Sequence, residues 1–464
     1  MDIALLIDFG STYTKVTAVD LESATLVGRA QAPSTVGTDI MVGLRRALQR
    51  LEESAGLRAD QVSRRLACSS AAGGLRMVAI GLVRELTAEA ARLAALGAGA
   101  KLMKVYSYAL TRADVREMET LSPDLVLLAG GTDGGNTDFI LRNATVLARS
   151  ALSAPVVVAG NRAACEEACE ILEAGGKQPT PTENVLPELD RLNVEPARST
   201  IREVFMRRIV RAKGLDGAES FVGSILMPTP MAVLDAARLL ADGTPEEAGL
   251  GDLVVVDVGG ATTDVHSVGA GRPVREGVVL RGIPEPHAKR TVEGDLGLRH
   301  NAPAIVEAVG KKTVLAMAGL PDTGFDLDGA VLGLSARPET VPEAEAARAL
   351  DLALAAAATR VAMERHAGFL ETLYTPAGRV EVQHGKDLSE FGTLIGTGGI
   401  FSWGPDPRRV LEAALFDEHN PLSLRPRHPS LLVDAPYILH AIGLLAQVAP
   451  AVALRVARSH LRRV

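Results

Sequence analysis

The strongest constraint on the fold is one hairpin pattern written twice. In LLIDFGSTYTKVTAV (Leu5 to Val19) an apolar run reaches Asp8, breaks at Gly10, passes Ser11 and Thr12, and leaves through Lys15 into a second apolar run. DVGGATTDVHSV (Asp257 to Val268) repeats it, matching Asp8 with Asp257, Gly10 with Gly259, Thr14 with Thr263, Val16 with Val265 and Val19 with Val268. Either copy alone is explained by an ordinary hairpin with a polar turn. Two copies point to an internal duplication, hence to two similar domains. The turn chemistry suits phosphate. Gly10 lets the backbone approach a ligand, and Ser11, Thr12 and the turn amides converge as donors. Lys15 adds positive charge. A carboxylate beside phosphate donors makes sense when a cation such as Mg2+ sits between them. The second copy offers Gly259, Gly260, Thr262 and Thr263 for the same purpose, with Asp8 and Asp257 as metal-side acids.

A third stretch, FGTLIGTGGIFSWG (Phe391 to Gly404), reads as a strand ending in paired glycines, and an adenine or ribose can lie flat on such a backbone. The three motifs, in this order, resemble those of the actin, sugar-kinase and DnaK-type chaperone ATPase superfamily. That resemblance implies an α/β fold of duplicated actin-like (ribonuclease H-like) ATPase domains. It implies ATP and Mg2+ as ligands, with Gly396, Gly398 and Gly399 at the adenosine end.

At 464 residues the chain has room for about two to four domains. Its hydrophobic fraction of 47% supports a large core, which the 3% aromatic content makes aliphatic. A net charge of −7 without basic–aromatic interleaving argues against nucleic acid as a partner. The start, MDIALLIDFG, lacks the basic region of a signal peptide, and three cysteines suit a reducing compartment, so a cytoplasmic protein is expected. Cys165 and Cys169 share a helix face and read as buried thiols. The apolar run Ala435 to Leu454 contains His440, Gln447 and Pro450, and reads as a buried helix pair rather than a membrane span. The basic tail Arg455 to Arg463 reads as a solvated helix end, so no membrane partner is expected.

Along the chain, 1–62 forms the first half of domain I, and 63–197 an inserted α/β region. Residues 198–250 return to domain I, 251–390 form domain II, and 391–464 carry the adenosine motif and C-terminal helices. Continuous apolar strands such as DLVLLA (Asp124 to Ala129) and PVVVA (Pro155 to Ala159) alternate with helical patterns in the insert, which indicates a covered parallel sheet. LAGGTDGGNTDFI (Leu128 to Ile140) lies at a strand's carboxyl end, where such sheets bind ligands, though a tight turn needing glycine explains it equally. Leu320 to Val341 reads as a loop. TVEGDLGLRHN offers Glu293 and Asp295 to the phosphates or metal, with helix capping by Asp295 as the simpler role.

DFGSTYTKVTAVD, LLAGGTDGGN, NVLPELDRLNVEPAR and TVEGDLGLR closely resemble the glutamate mutase accessory protein family (GlmL, also called MutL, unrelated to the mismatch-repair protein of that name). The resemblance covers almost the whole chain. It implies a chaperone-like ATPase that assists adenosylcobalamin-dependent mutase subunits. The chaperones carry a water-orienting glutamate before the second hairpin. Here the candidates are Met227 and Thr229, so hydrolysis is expected to be slow. A small-molecule kinase or an actin-like filament former on the same fold are the alternatives.

Overall fold

The computed structural model describes residues 2–10, 12–35, 39–70, 75–84, 86–98, 100–189, 191–212, 221–222, 225–376 and 378–464. Two of its sheets share one topology. In the first, the strands run Thr25–Pro33, Tyr13–Asp20, Ile3–Phe9, Arg64–Ser69 and Ile225–Pro228 in spatial order. In the second, they run Ala288–Glu293, Thr263–Val268, Leu253–Val258, Thr393–Thr397 and Ser430–Asp434, with Leu461–Arg463 added at the edge. Each is three antiparallel strands followed by two parallel ones, in the order third, second, first, fourth, fifth. The central strands are continuous apolar runs because both of their faces are covered.

The hairpins are built alike down to the turn. Asp8 pairs with Lys15 across the first, and Asp257 with Asp264 across the second. Gly10 N–H donates to the Tyr13 carbonyl at 3.1 Å, and Gly259 N–H to the Thr262 carbonyl at 2.9 Å. A Cβ at Gly10 would lie 2.4 Å from the Tyr13 oxygen, and one at Gly259 would lie 3.0 Å from the Thr262 oxygen. Sterics therefore demand the glycine of the first motif, where the obstacle is backbone, and leave a Cβ only a tight fit in the second.

The helices Thr229–Asp242 and Leu439–Ala446 lie between the two sheets. Their core joins Ala4 and Leu6 of the first sheet to Val255 and Ile395 of the second through Leu234 and Leu444. The apolar C-terminal run is thus a buried helix followed by Pro450–His460. No helix among the described residues is long and apolar enough to cross a membrane. Arg455 and Arg458 of the tail lie 3.7 and 3.9 Å from Glu247, and Leu461–Arg463 joins the sheet edge. Where the two central helices cross, a Cβ on Gly443 would sit 1.7 Å from the Ala232 carbonyl oxygen. Gly443→Val forces the helices apart, and overpacking of this kind costs about 1–3 kcal/mol. A clear drop in thermal midpoint is expected, whereas an unchanged midpoint would mean that the helices do not meet this closely.

Between the fourth and fifth strands of the first sheet comes the insert, a separate sheet of five parallel strands. They are Leu75–Gly81, Ala100–Ser107, Leu125–Leu128, Val156–Val158 and Pro179–Pro181, in the spatial order second, first, third, fourth, fifth. Its helices include Thr87–Gly97, Arg112–Leu121, Asp138–Ala148 and Cys165–Ala174. The chain returns through the helix Glu195–Ala212.

One reading needs correction. The stretch Leu320 to Val341 is not all loop. It contains the helix Leu327–Ala336, whose start is capped by Asp326 accepting from Gly329 N–H at 2.9 Å. The long helix Glu345–His366 follows, as its alanine content predicts.

Candidate functional site

Asp8 stands at the carboxyl end of the central strand of the first sheet, fully buried. Its Oδ2 accepts from Lys15 Nζ at 2.7 Å, and its Oδ1 from Thr229 Oγ1 at 2.5 Å. Burial, the largest single influence, would raise its pKa, but Lys15, together with His440 and the Thr229 hydroxyl, holds the carboxyl below its ordinary value. For Lys15, burial disfavours the charge, yet Asp8 at contact and Asp257 farther off hold its pKa above the lysine range. Its Nζ also sits 4.5 Å from the ring centroid of Tyr437. Tyr437 adopts φ 56° and belongs to the turn after the second sheet's last parallel strand. Lys15 therefore reaches from one domain to the other.

The second hairpin is charged differently. Asp264, at the position equivalent to Lys15, is held by Arg290 at 2.6 and 3.0 Å and accepts from Thr262 Oγ1 at 2.9 Å. Asp257 is half-buried and makes no side-chain hydrogen bond among the described residues. Burial and the charge of Asp264 push its pKa up to about 7, with Asp434 and Asp8 adding and Lys15 opposing. Such a carboxylate wants a cation. Because the folded chain holds a proton that an unfolded chain releases near 3.8, this group's contribution to stability is complete below that pH and is lost as pH rises through about 7. A divalent cation binds the ionised form. Mg2+ affinity is therefore expected to rise between about pH 6 and pH 8, which calorimetric titration at the two pH values will check. A flat profile would contradict this placement of Asp257.

The paired glycines lie against this hairpin. Gly398 has φ 116°, and a Cβ there would meet the Val258 carbonyl at 2.4 Å. Gly396 leaves room for the Phe401 ring, which a Cβ would approach to 2.5 Å. Gly399 opens the short helix that ends at Trp403, and Arg29 of the first sheet stands 5.1 Å from the Trp403 ring. Asp434 accepts from Thr397 Oγ1 at 2.8 Å and from the Ile438 and Leu439 amides at 3.0 and 2.9 Å. It thereby starts the central helix Leu439–Ala446.

The other candidates are placed as follows. Ser11 lies outside the described residues. The Thr12 carbonyl accepts from Ser34 N–H at 2.8 Å. The Gly260 carbonyl takes the amides of Arg299 and His300, both at 2.9 Å. Thr263 is buried and its hydroxyl donates to the Leu296 carbonyl at 2.7 Å. Glu293 and Asp295 sit beside the second hairpin but are clamped by Arg365, at 2.6 Å and at 2.8 and 2.9 Å respectively. Asp295 therefore does not cap a helix, since Asn301 precedes the next one, Ala302–Val309. Sequence reading missed Thr229 as an Asp8 partner, and it missed Tyr437, Asp434 and Arg290.

Two sheets of identical order, with their acid–glycine hairpins on facing domains, define a duplicated actin-like ATPase fold. The chain belongs to the MutL protein family, the glutamate mutase accessory family its motifs resemble: the family's model matches residues 4–461. Protein MutL of Clostridium tetanomorphum is 49% identical over 464 residues, which covers 100% of both chains. Solved structures with fainter likeness include diol dehydratase-reactivating factor in nucleotide-free form, 12% identical over 96% of this chain and 99% of that one, TM-score 0.35. The activator of the 2-hydroxyisocaproyl-CoA dehydratase from Clostridium difficile with bound ADPNP is 8% identical over 98% and 96%, TM-score 0.32. Gluconate kinase from Lactobacillus acidophilus is 9% identical over 100% and 92%, TM-score 0.36.

Proposed function

We propose that this protein binds ATP with Mg2+ between its two hairpins, and uses nucleotide state to move its domains and reactivate an adenosylcobalamin-dependent mutase of the glutamate mutase or aminomutase type. The observation that carries the reading is Lys15. It is paired with Asp8 on one domain, faces Tyr437 of the other, and lies within electrostatic reach of the uncompensated Asp257.

In this reading the turns around Gly10 and Gly259 take the phosphates. Ser11, Thr12, Lys15, Gly260, Thr262 and Thr263 line them, and the base lies over Gly396, Gly398 and Gly399. Asp257 would hold the cation, with Asp8 on the opposite hairpin as the second acid on the metal side. The fit is chemical: Mg2+ takes one or two carboxylates plus substrate phosphates, and among the described residues Asp257 has no cation in contact. When bound, the metal neutralises phosphate charge and so ties the two hairpins together. Hydrolysis is slow because Met227 is fully buried, Thr229 is committed to Asp8, and Glu293 and Asp295 are committed to Arg365.

Movement must reach a partner. Arg290 holds Asp264 with one part of its guanidinium and donates to the carbonyls of Leu96 and Ala100 of the insert at 3.1 and 3.4 Å. Closure on the γ-phosphate can thus swing the insert, a hinge motion of one domain against the other. Radical turnover leaves damaged cobalamin in a mutase, and a moving domain can open it for exchange. The test is direct. A mutase inactivated by turnover should regain activity with this protein, Mg-ATP and fresh cofactor. Equal recovery without ATP, or no mutase bound at all, would overturn the reading, and ATP-dependent phosphorylation of a small polyol or acid would favour the kinase alternative.

A further inference from the structure

Two cations on domain I face two aromatic rings on domain II. The register of the first sheet pairs Thr17 with Arg29 and Lys15 with Gln31, so Lys15 and Arg29 lie on one face of it. On domain II, Trp403 ends the helix Gly399–Trp403, and Tyr437 follows the strand Ser430–Asp434. The two rings meet edge to face, with centroids 6.2 Å apart and planes at 81°. Lys15 Nζ stands 4.5 Å from the Tyr437 centroid, and the Arg29 guanidinium 5.1 Å from that of Trp403. Both distances are within cation–π range.

Arg29 has further ties across the cleft. Its Nη1 donates to the Pro436 carbonyl, next to Tyr437, and its Nη2 donates to Gln31 Oε1 at 3.2 Å on its own strand. Its charge also reaches the buried Asp434. One guanidinium thus holds domain II at the Trp403 ring and at the Tyr437 turn, while Gln31 steadies it from behind. Lys15 makes the equivalent contact at the Asp8 end of the row.

The Trp403 ring covers ground that the nucleotide reading assigns to the base. Helical side chains lean back toward the amino end, so a ring four positions after Gly399 falls over it. A Cβ on Gly399 would lie 3.4 and 3.5 Å from two of the ring carbons, which is ordinary contact. The ring therefore rests against the Gly399 surface. It is also 58% exposed, so a swing away from that surface breaks the Arg29 contact without opening a core.

We propose that Arg29 and Trp403 form a clasp across the cleft that covers the base-binding surface at Gly399, and that a nucleotide enters by lifting the Trp403 ring and releasing Arg29. This rests on the nucleotide reading above and adds its regulation. The ring cannot both lie on Gly399 and leave that surface to a base, so the clasped and nucleotide-bound arrangements exclude each other. Apparent affinity then falls by the fraction of molecules that are clasped. The same exclusion gives the nucleotide unequal affinity for two domain arrangements, which nucleotide-driven motion requires. Release at Arg29 together with closure on the phosphates at Lys15 rocks one domain on the other.

Trp403 is the one tryptophan in the chain, so intrinsic emission reports this contact alone. Mg-ATP titrated into the full chain should shift that emission saturably, with the midpoint that calorimetry gives for binding. Arg29→Ala should show shifted emission and stronger acrylamide quenching before any nucleotide is added. By calorimetry, Arg29→Ala and Trp403→Ala should each bind Mg-ATP roughly threefold or more tighter than the parent, the worth of one cation–aromatic contact. Arg29→Lys should fall between, because an ammonium does not reproduce the planar fork that stacks and donates at once. Emission of Arg29→Ala identical to the parent's overturns the clasp, and so does Mg-ATP affinity unchanged or weakened in either alanine variant. A lowered thermal midpoint with unchanged affinity marks Arg29 as structural and overturns it equally. No Mg-ATP binding by parent or variants removes the nucleotide reading instead, and the gate with it, even where Arg29→Ala shifts the emission.

Discussion

Asp257→Ala is expected to weaken Mg-ATP binding by roughly tenfold or more, a charge-assisted contact being worth about 1.5–3 kcal/mol. The size of the effect follows from the asymmetry of the two hairpins. Asp8 is already neutralised by Lys15 and Thr229, so a cation adds little to its balance. Asp257 faces Asp264, Asp434 and Asp8, and its raised pKa records the strain of keeping a negative charge there. On the proposed reading, metal-bound nucleotide would relieve that strain and could not do so once the carboxylate is gone. The same reasoning gives the variant an opposite effect on the empty protein. Near pH 8 the ionised Asp257 opposes folding, so its removal should not lower the thermal midpoint. Lost affinity with undiminished stability is the signature of a ligand-facing acid, since a structural acid would lose both. Calorimetry showing unchanged Mg-ATP binding would remove Asp257 from the site.

What could be read from the residues divides along a physical line. The hairpins were legible because the same acid–glycine spacing is written twice, and at Gly10 the returning Tyr13 carbonyl leaves no room for a side chain. The insert's parallel sheet was legible because strands covered on both faces, such as Leu125–Leu128, must be apolar throughout. Its strand order was not, because nothing in one strand names its neighbour. The helix Leu327–Ala336 escaped notice because glycine and proline around it mimic a loop. Thr229 reaches Asp8 from 221 positions away, so no local pattern could join them. Asp434 ends an ordinary strand, and only the fold reveals that it holds Thr397 and starts a central helix. Glu293 and Asp295 were found near the second hairpin, but Arg365 lies about seventy positions downstream and its clamp was invisible.

Lys15→Ala should bind the mutase yet fail to restore it. Among the described residues the lysine is the one cation in contact with the first hairpin's acid, and it also stands against Tyr437 of the facing domain. On the proposed reading, removing it would deprive the γ-phosphate of a partner at the point where closure is decided. The variant carries a second consequence that must be separated from the first. Stripping a buried carboxylate of its counter-ion costs about 3–5 kcal/mol, so Lys15→Ala alone is also expected to unfold at lower temperature. Replacing both members of such a pair is often close to neutral, which makes Asp8→Asn with Lys15→Met the cleaner probe. The double variant should keep a thermal midpoint near that of the parent, retain the mutase in a pull-down, and leave it inactive with Mg-ATP and fresh adenosylcobalamin. Lys15→Arg keeps the charge, but its planar fork does not reproduce a compact ammonium, so recovery should be partial. Full reactivation by the double variant would mean that contact between Lys15 and nucleotide does not drive the domains, and that the partner is opened by some other motion.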